Sequence, residues 1–179
     1  MSETTLSTER IYEGRILNLR VDTVQLENGK TGKREIVEHH GAVAMVPLTA
    51  DGQVIFVRQW RQAAGGPLLE IPAGTLNLGE EPLACAHREL AEEINCAAGR
   101  MVFLFASFMA PGYTTEKIHT YAALDLTPKE GQTDEDEFLE LVTLPLSNAI
   151  AKIRTGGIQD AKSISGLLML EKLCASGEI

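Results

Sequence analysis

Short runs of alternating apolar and polar residues, broken by glycine-bearing turns, dominate the first part of the chain. Leu17, Leu19 and Val21 alternate with polar partners, and Asn28-Gly29 is a strong hairpin signal ahead of a second arm at residues 34–39. Residues 1–40 therefore predict short antiparallel strands. A second hairpin is predicted from the apolar run 42–48, a turn at Asp51-Gly52 and the run 54–61, with a short strand following at 68–71. The period changes over residues 82–94. There Leu83, Ala86, Leu90 and Ile94 fall on one helical stripe, and Pro82 suits a first turn. Strand patterning returns at 101–108 and 118–126 on either side of a loop, and again at 139–144 after the acidic stretch 134–137. Two helices close the chain, one capped by Ser147 and one from about Ser163 to Cys174. This order predicts an α+β fold, an α/β/α sandwich with a mixed β-sheet and an N-terminal antiparallel β region.

Composition narrows the function classes. The chain has 179 residues, 44% of them hydrophobic and 23% charged, which suits a folded domain with a real core. With 25 acidic against 16 basic residues the net charge is −9. That is wrong for coating nucleic acid or for docking on an anionic membrane. Cys85, Cys96 and Cys174 show neither metal-ligand spacing nor a disulfide framework, and His39, His40, His87 and His119 show no zinc spacing. A polar start and the lack of a membrane-length apolar run lead to the expectation of a soluble, cytoplasmic protein.

The acids of residues 82–94 change the picture most. Glu89, Glu92 and Glu93 are three and four apart, within a turn of one another on a helix, where like charges cost energy. The nearby cation is Arg88, four residues before Glu92, and Glu80 adds a fourth carboxylate just ahead of the helix. Such a group is either a solvated acidic face or a seat for a hard, oxygen-seeking cation that keeps sites open for phosphate oxygens. The full pattern favours the second. Gly74, then Glu80, then Arg88-Glu89-Leu90, one residue, and Glu92-Glu93 resembles the Nudix box. The box glycine that follows is replaced by Asn95, and Cys96 stands where an aliphatic residue is usual. Asn is the next best residue for a left-handed helix end, so the turn is expected to survive.

Further segments resemble the ADP-ribose pyrophosphatase branch of that family: residues 14–19, 33–39, Arg58-Gln59-Trp60-Arg61, Leu69-Glu70-Ile71-Pro72-Ala73-Gly74, and residues 111–117. Pro111 lies 16 residues beyond Asn95, the spacing typical of that branch. The resemblance implies cleavage of the ADP-ribose diphosphate to AMP and ribose 5-phosphate, with two or three Mg²⁺ (or Mn²⁺) ions per site. It assigns the ions to Glu89, Glu92, Glu93 and the main-chain carbonyl of Ala73, with Gly74 keeping that turn open. It gives Arg88 the orienting of the catalytic glutamates, Arg61 a phosphate or the terminal ribose, and Glu80 a place at the substrate. It implies that Glu116 acts as general base or completes a metal site, with Glu92 the alternative base. It further implies a homodimer in which residues 1–40 swap onto the partner and Arg15, Ile16, Arg34 and Glu35 help form the adenosine pocket, with Lys33 an alternative to Arg34. Residues 41–179 would form the Nudix hydrolase domain. Rival readings are another nucleoside diphosphate sugar such as GDP-mannose, an oxidised nucleotide, or a non-catalytic domain that senses ADP-ribose. Trp60 and Tyr113 are flat enough to stack on a base, although packing in the core or a loop is the simpler expectation.

Overall fold

The computed structural model describes residues 2–131 and 138–179, so the acidic stretch 134–137 lies outside the described residues. The chain divides into two compact units, Met1–Gly41 with Ser107–Lys117, and Ala42–Ala106 with Ile118–Ile179.

The first unit is built on an antiparallel sheet in the order β1 (Thr4–Glu13), β2 (Asn18–Gln25), β3 (Thr31–Glu38). Its β2–β3 turn closes as Asn28-Gly29 predicts, with Gly29 at φ 78° and its N–H donating to Leu26 O. The ten-residue β1 carries no alternation that the sequence reveals, because all ten of its residues are exposed and among the described residues it pairs with β2 alone. Leu17 falls outside β2, in the Gly14–Leu17 turn, and is exposed. Glu38 is ion-paired with both Arg10 and Arg20. The loop that carries Glu116 is fastened to β3. Val37 N–H donates to Tyr113 O at 2.8 Å, Thr115 N–H to Val37 O at 3.0 Å, and His39 N–H to Thr115 Oγ1 at 2.9 Å.

The second unit holds two sheets and three helices. One sheet runs β7 (Ala73–Thr75), β4 (Ala42–Pro47), β9 (Lys117–Pro128), β8 (Cys96–Phe108), and the other β10 (Glu140–Pro145), β5 (Gln53–Arg61), β6 (Gly66–Glu70). The helices are α1 (Pro82–Ile94), α2 (Leu146–Arg154) and α3 (Ala161–Ser176). β4 is parallel to β9 and antiparallel to β7, so its sheet is mixed, as expected. All six residues of β4 are buried, and strand alternation lets it serve two layers. Val43 and Met45 join Cys85, Ala86, Leu90 and Ile94 of α1 in one core cluster. On the other side Val46 lies against Gly166 of α3, where a Cβ would sit 2.9 Å from its methyl.

Three expectations are corrected. β4 and β5 are not a hairpin: they share only an isolated bridge, Leu48 to Val54, and enter different sheets. A strand apolar on both faces is worth more between β7 and β9 than at a hairpin edge. On α1, Leu83 is 47% exposed and Cys85 takes the core position instead. Ser147 lies inside α2, which starts from Pro145 without a side-chain cap, whereas Asp160 caps α3 by accepting from Ser163 N–H at 3.0 Å.

Candidate active site

The approach to α1 is set by a tight turn. Glu80 N–H donates to Asn77 O, Glu80 Oε2 accepts from Asn77 N–H at 2.9 Å, and Gly79 between them takes φ 78°. Pro82 then opens the helix, where its missing N–H costs nothing. The helix ends on Asn95 in the left-handed region (φ 52°, ψ 40°), the conformation expected of the residue replacing the box glycine. Asn95 has a further use: its Oδ1 accepts from Gly131 N–H at 3.2 Å and its carbonyl from Lys129 N–H at 2.9 Å.

Arg88 organises the acids. It donates from Nε and Nη2 to the two oxygens of Glu80 at 3.0 and 2.9 Å, and from Nη1 to Glu89 at 2.6 Å and Glu92 at 2.8 Å. Nη2 also reaches Thr75 O and Cys85 Sγ. The fork of a guanidinium suits this bridging, which an ammonium could not reproduce. Hydrogen bonds from Arg88, and then from the Asn77 N–H, hold the Glu80 carboxyl at about 2, and Glu80 in turn raises Arg88 further above its ordinary range. Burial pushes the Cys85 thiol up to about 12, so it is neutral and no nucleophile at physiological pH.

Gly74 is required by close approach rather than by a turn. It lies within β7, opposite Val43, with no positive φ, and a Cβ there would overlap the Glu89 carboxylate. Glu93 is not on an outer face with Glu89 and Glu92: it is 5% exposed and accepts from Ala73 N–H at 2.9 Å. Helical spacing puts it one turn beyond Leu90, on the buried side. Among the described residues no three carboxylate, imidazole or thiol groups already converge on one point; instead Glu89 and Glu92 turn toward Arg88 and Glu93 toward Ala73. The donor chemistry nonetheless fits a hard divalent cation, since carboxylate oxygens at helical spacing lie against a glycine that leaves them room.

Arg61 ends β5 and is held bidentately by Glu70 of β6, an acid to which the sequence motif assigns no role. A charge inside the apolar run 68–71 was the available signal, since a buried acid needs a partner. Its other partner, Lys162, carried no local signal at all. In the first unit, Arg15 and Ile16 are exposed in the Gly14–Leu17 turn, while Arg34 and Glu35 are neighbours on β3 and so point to opposite faces. Arg34 is ion-paired with Glu3. The β2–β3 register places Glu35 three strand positions from the turn end, roughly 10 Å, so this chain by itself does not gather the four into one cluster. Glu116 sits at the end of the loop bonded to β3, its N–H donating to Thr114 Oγ1 at 3.1 Å. Trp60 and Tyr113 are not packed away, at 61% and 60% exposure.

Comparison with known proteins places this site in a family. The sequence profile of the NUDIX domain matches residues 38–165, and that of the nucleoside diphosphate sugar hydrolase N-terminal domain matches residues 3–37. The chain belongs to the Nudix family of hydrolases. It is 41% identical to the methanol dehydrogenase activator of Bacillus methanolicus, over 94% of this chain and 92% of that one. It is 38% identical to the ADP-ribose pyrophosphatase of Bacillus subtilis (strain 168), over 96% and 94%. A crystal structure of an ADP compounds hydrolase superposes with a TM-score of 0.87 at 27% identity, covering 100% of this chain and 98% of the other.

Proposed function

We propose that this protein hydrolyses the diphosphate of ADP-ribose to AMP and ribose 5-phosphate with Mg²⁺ as its cation, acting as a cytoplasmic homodimer. The observation that carries the reading is Arg88 gathering Glu80, Glu89 and Glu92 beside Glu93 and Gly74. Glu89, Glu92, Glu93 and the Ala73 carbonyl would hold the cations. When bound, these neutralise charge on the diphosphate oxygens and acidify water. Arg88 keeps the carboxylates parted and aimed, so that each presents an oxygen lone pair rather than turning to solvent. Arg61 spends its Nε–Nη2 edge on Glu70 and has Nη1 left for an anionic group of the substrate. Glu116, or Glu92, accepts the proton of the attacking water. Cys85, a neutral thiol, offers no covalent route.

Residues 1–40 are proposed as the dimer-forming β region and 41–179 as the catalytic domain. Support for the first comes from the N-terminal profile match over residues 3–37 and from β1, whose Leu6, Ile11 and Tyr12 are half-exposed. A strand that leaves apolar side chains uncovered suits contact with a second copy, where Arg15, Ile16, Arg34 and Glu35 from the assembled dimer would meet the adenosine.

The test is AMP or GMP release from ADP-ribose, GDP-mannose, NADH and diadenosine polyphosphates, with and without Mg²⁺. Mg²⁺-dependent cleavage of ADP-ribose ahead of the others is the expected result. Preference for GDP-mannose would keep the chemistry and discard the pocket assignment, and tight ADP-ribose binding without turnover would make the domain a sensor.

A further inference from the structure

Glu70 is an acid at the end of an apolar strand, enclosed to 2% exposure. Its carboxylate is met from two directions. Arg61 donates from Nε and Nη2 at 2.8 and 2.9 Å, and Lys162 of α3 donates from Nζ at 2.5 Å. The Lys162 side chain is 9% exposed, and its ammonium also lies 3.0 Å from Asp160. Burial alone would raise the Glu70 carboxyl, yet the bonds from Arg61 and the charge of Lys162 keep it below the ordinary carboxylate range. The four side chains balance in charge, with Glu70 and Lys162 enclosed and Arg61 and Asp160 reaching toward solvent.

Helix energetics argue against this place for a lysine. Lys162 stands in the first turn of α3, two residues after the Asp160 cap, at the end of the dipole that disfavours cations. Enclosing an ammonium costs about as much as its ion pairs return, so stability alone does not account for it. The next residue works on the same segment. Ser163 Oγ accepts from Ile71 N–H at 2.8 Å and donates to Asp160 at 2.5 Å. The first turn of α3 therefore grips Glu70 and Ile71, two residues before Ala73 meets Glu93. Arg61, at the far side of Glu70, keeps its side chain 41% exposed while its Nε and Nη2 are held by that acid, so the guanidinium stays open to a ligand.

We infer that Lys162 is a positioning residue for substrate binding: by fixing Glu70 Oε2 it sets the plane in which Glu70 holds Arg61, and so aims Arg61 Nη1 at an anionic group of the bound nucleoside diphosphate sugar. The inference rests on the proposed role of Arg61. It assigns a binding function to a helix 92 residues further along the chain than the strand it steadies.

Lys162→Met keeps the stem and removes the charge and the donors. With Mg²⁺ saturating, KM for ADP-ribose is expected to rise about tenfold while kcat stays within about threefold, and the Kd for ADP-ribose measured by calorimetry in EDTA should weaken by a similar factor. Because Lys162 acts through Arg61, the same substitution in an Arg61→Ala background should change KM less than about twofold. A structural tie alone would lower the melting temperature and leave KM and Kd where they were, and that outcome overturns the inference. So does a KM effect that multiplies independently with Arg61→Ala. Should Lys162→Met fail to fold, Asp160→Asn takes its place, since Asn caps as well as Asp but withdraws the charge steadying the ammonium. A KM rise of about threefold then supports the inference, and an unchanged KM overturns it. Wild-type turnover is measured first. If another member of the substrate panel is preferred, the ADP-ribose reading fails alone, and the same comparison on that substrate decides the role of Lys162.

Discussion

Single residues set the chemistry through what they leave room for. Gly74 has an extended backbone that any residue could adopt, so its lack of a Cβ matters only because the Glu89 carboxylate occupies that space. Gly74→Ala should therefore spare the strand and displace the acid. A misplacement of about 1 Å costs on the order of 100-fold in kcat/KM, with overpacking strain of roughly 1–3 kcal/mol appearing as a lower melting temperature. Near-normal turnover in this variant would mean that Glu89 is not needed where it lies. The sequence exposed part of this arrangement. Arg88 and Glu92 are four apart, and their pairing follows from helical geometry. The reach of Arg88 back to Glu80, and the enclosure of Glu93, depend on how the preceding turn and β7 fold over the helix, which no local spacing encodes.

Among the elements, α1 was the most legible, because Pro82 at its start and the Asn95 cap at its end are local signals that act within one turn. Asn95 also shows what a cap can do beyond ending a helix. A glycine there would relieve about 1 kcal/mol of left-handed strain but give up the bond to Gly131, worth about the same. Asn95→Gly should accordingly leave stability within about 1 kcal/mol of wild type in urea unfolding, whereas Asn95→Ala, losing the bond and keeping the strain, should cost roughly 1–2 kcal/mol. Equal effects from the two would show that the left-handed backbone carries no strain, and a stabilised Asn95→Gly would show that the Gly131 contact contributes nothing. Element bounds elsewhere had no such signals. β1 lies in the expected antiparallel β region, but it buries no residue, so its sequence need not alternate and does not mark where the strand runs. α3 begins at Ala161, two residues before the expected start near Ser163, because Asp160 caps it by accepting from Ser163 N–H.

At the scale of the whole molecule, the acids of the site are tied into the fold by protein groups. Arg88 bonds to Glu80, Glu89 and Glu92, and Glu93 accepts from the Ala73 N–H. Removal of divalent ions with EDTA should abolish turnover yet leave the far-ultraviolet circular dichroism unchanged, and Mg²⁺ should raise the melting temperature only as mass action requires. Unfolding in EDTA would contradict this view of Arg88. Among the described residues no helix is long and apolar enough to cross a membrane. What the sequence by itself determined is the family and the order of its chemistry. The box is a set of residues at fixed spacing along one helix and the turn before it, and a rise of about 1.5 Å per residue converts that spacing directly into geometry. Tertiary structure alone decided that β4 leaves its apparent hairpin to lie parallel to β9, and that Lys162 meets Glu70 across 92 residues of chain. Such contacts are selected by the burial and charge balance of the complete core, and no short stretch of sequence carries that information.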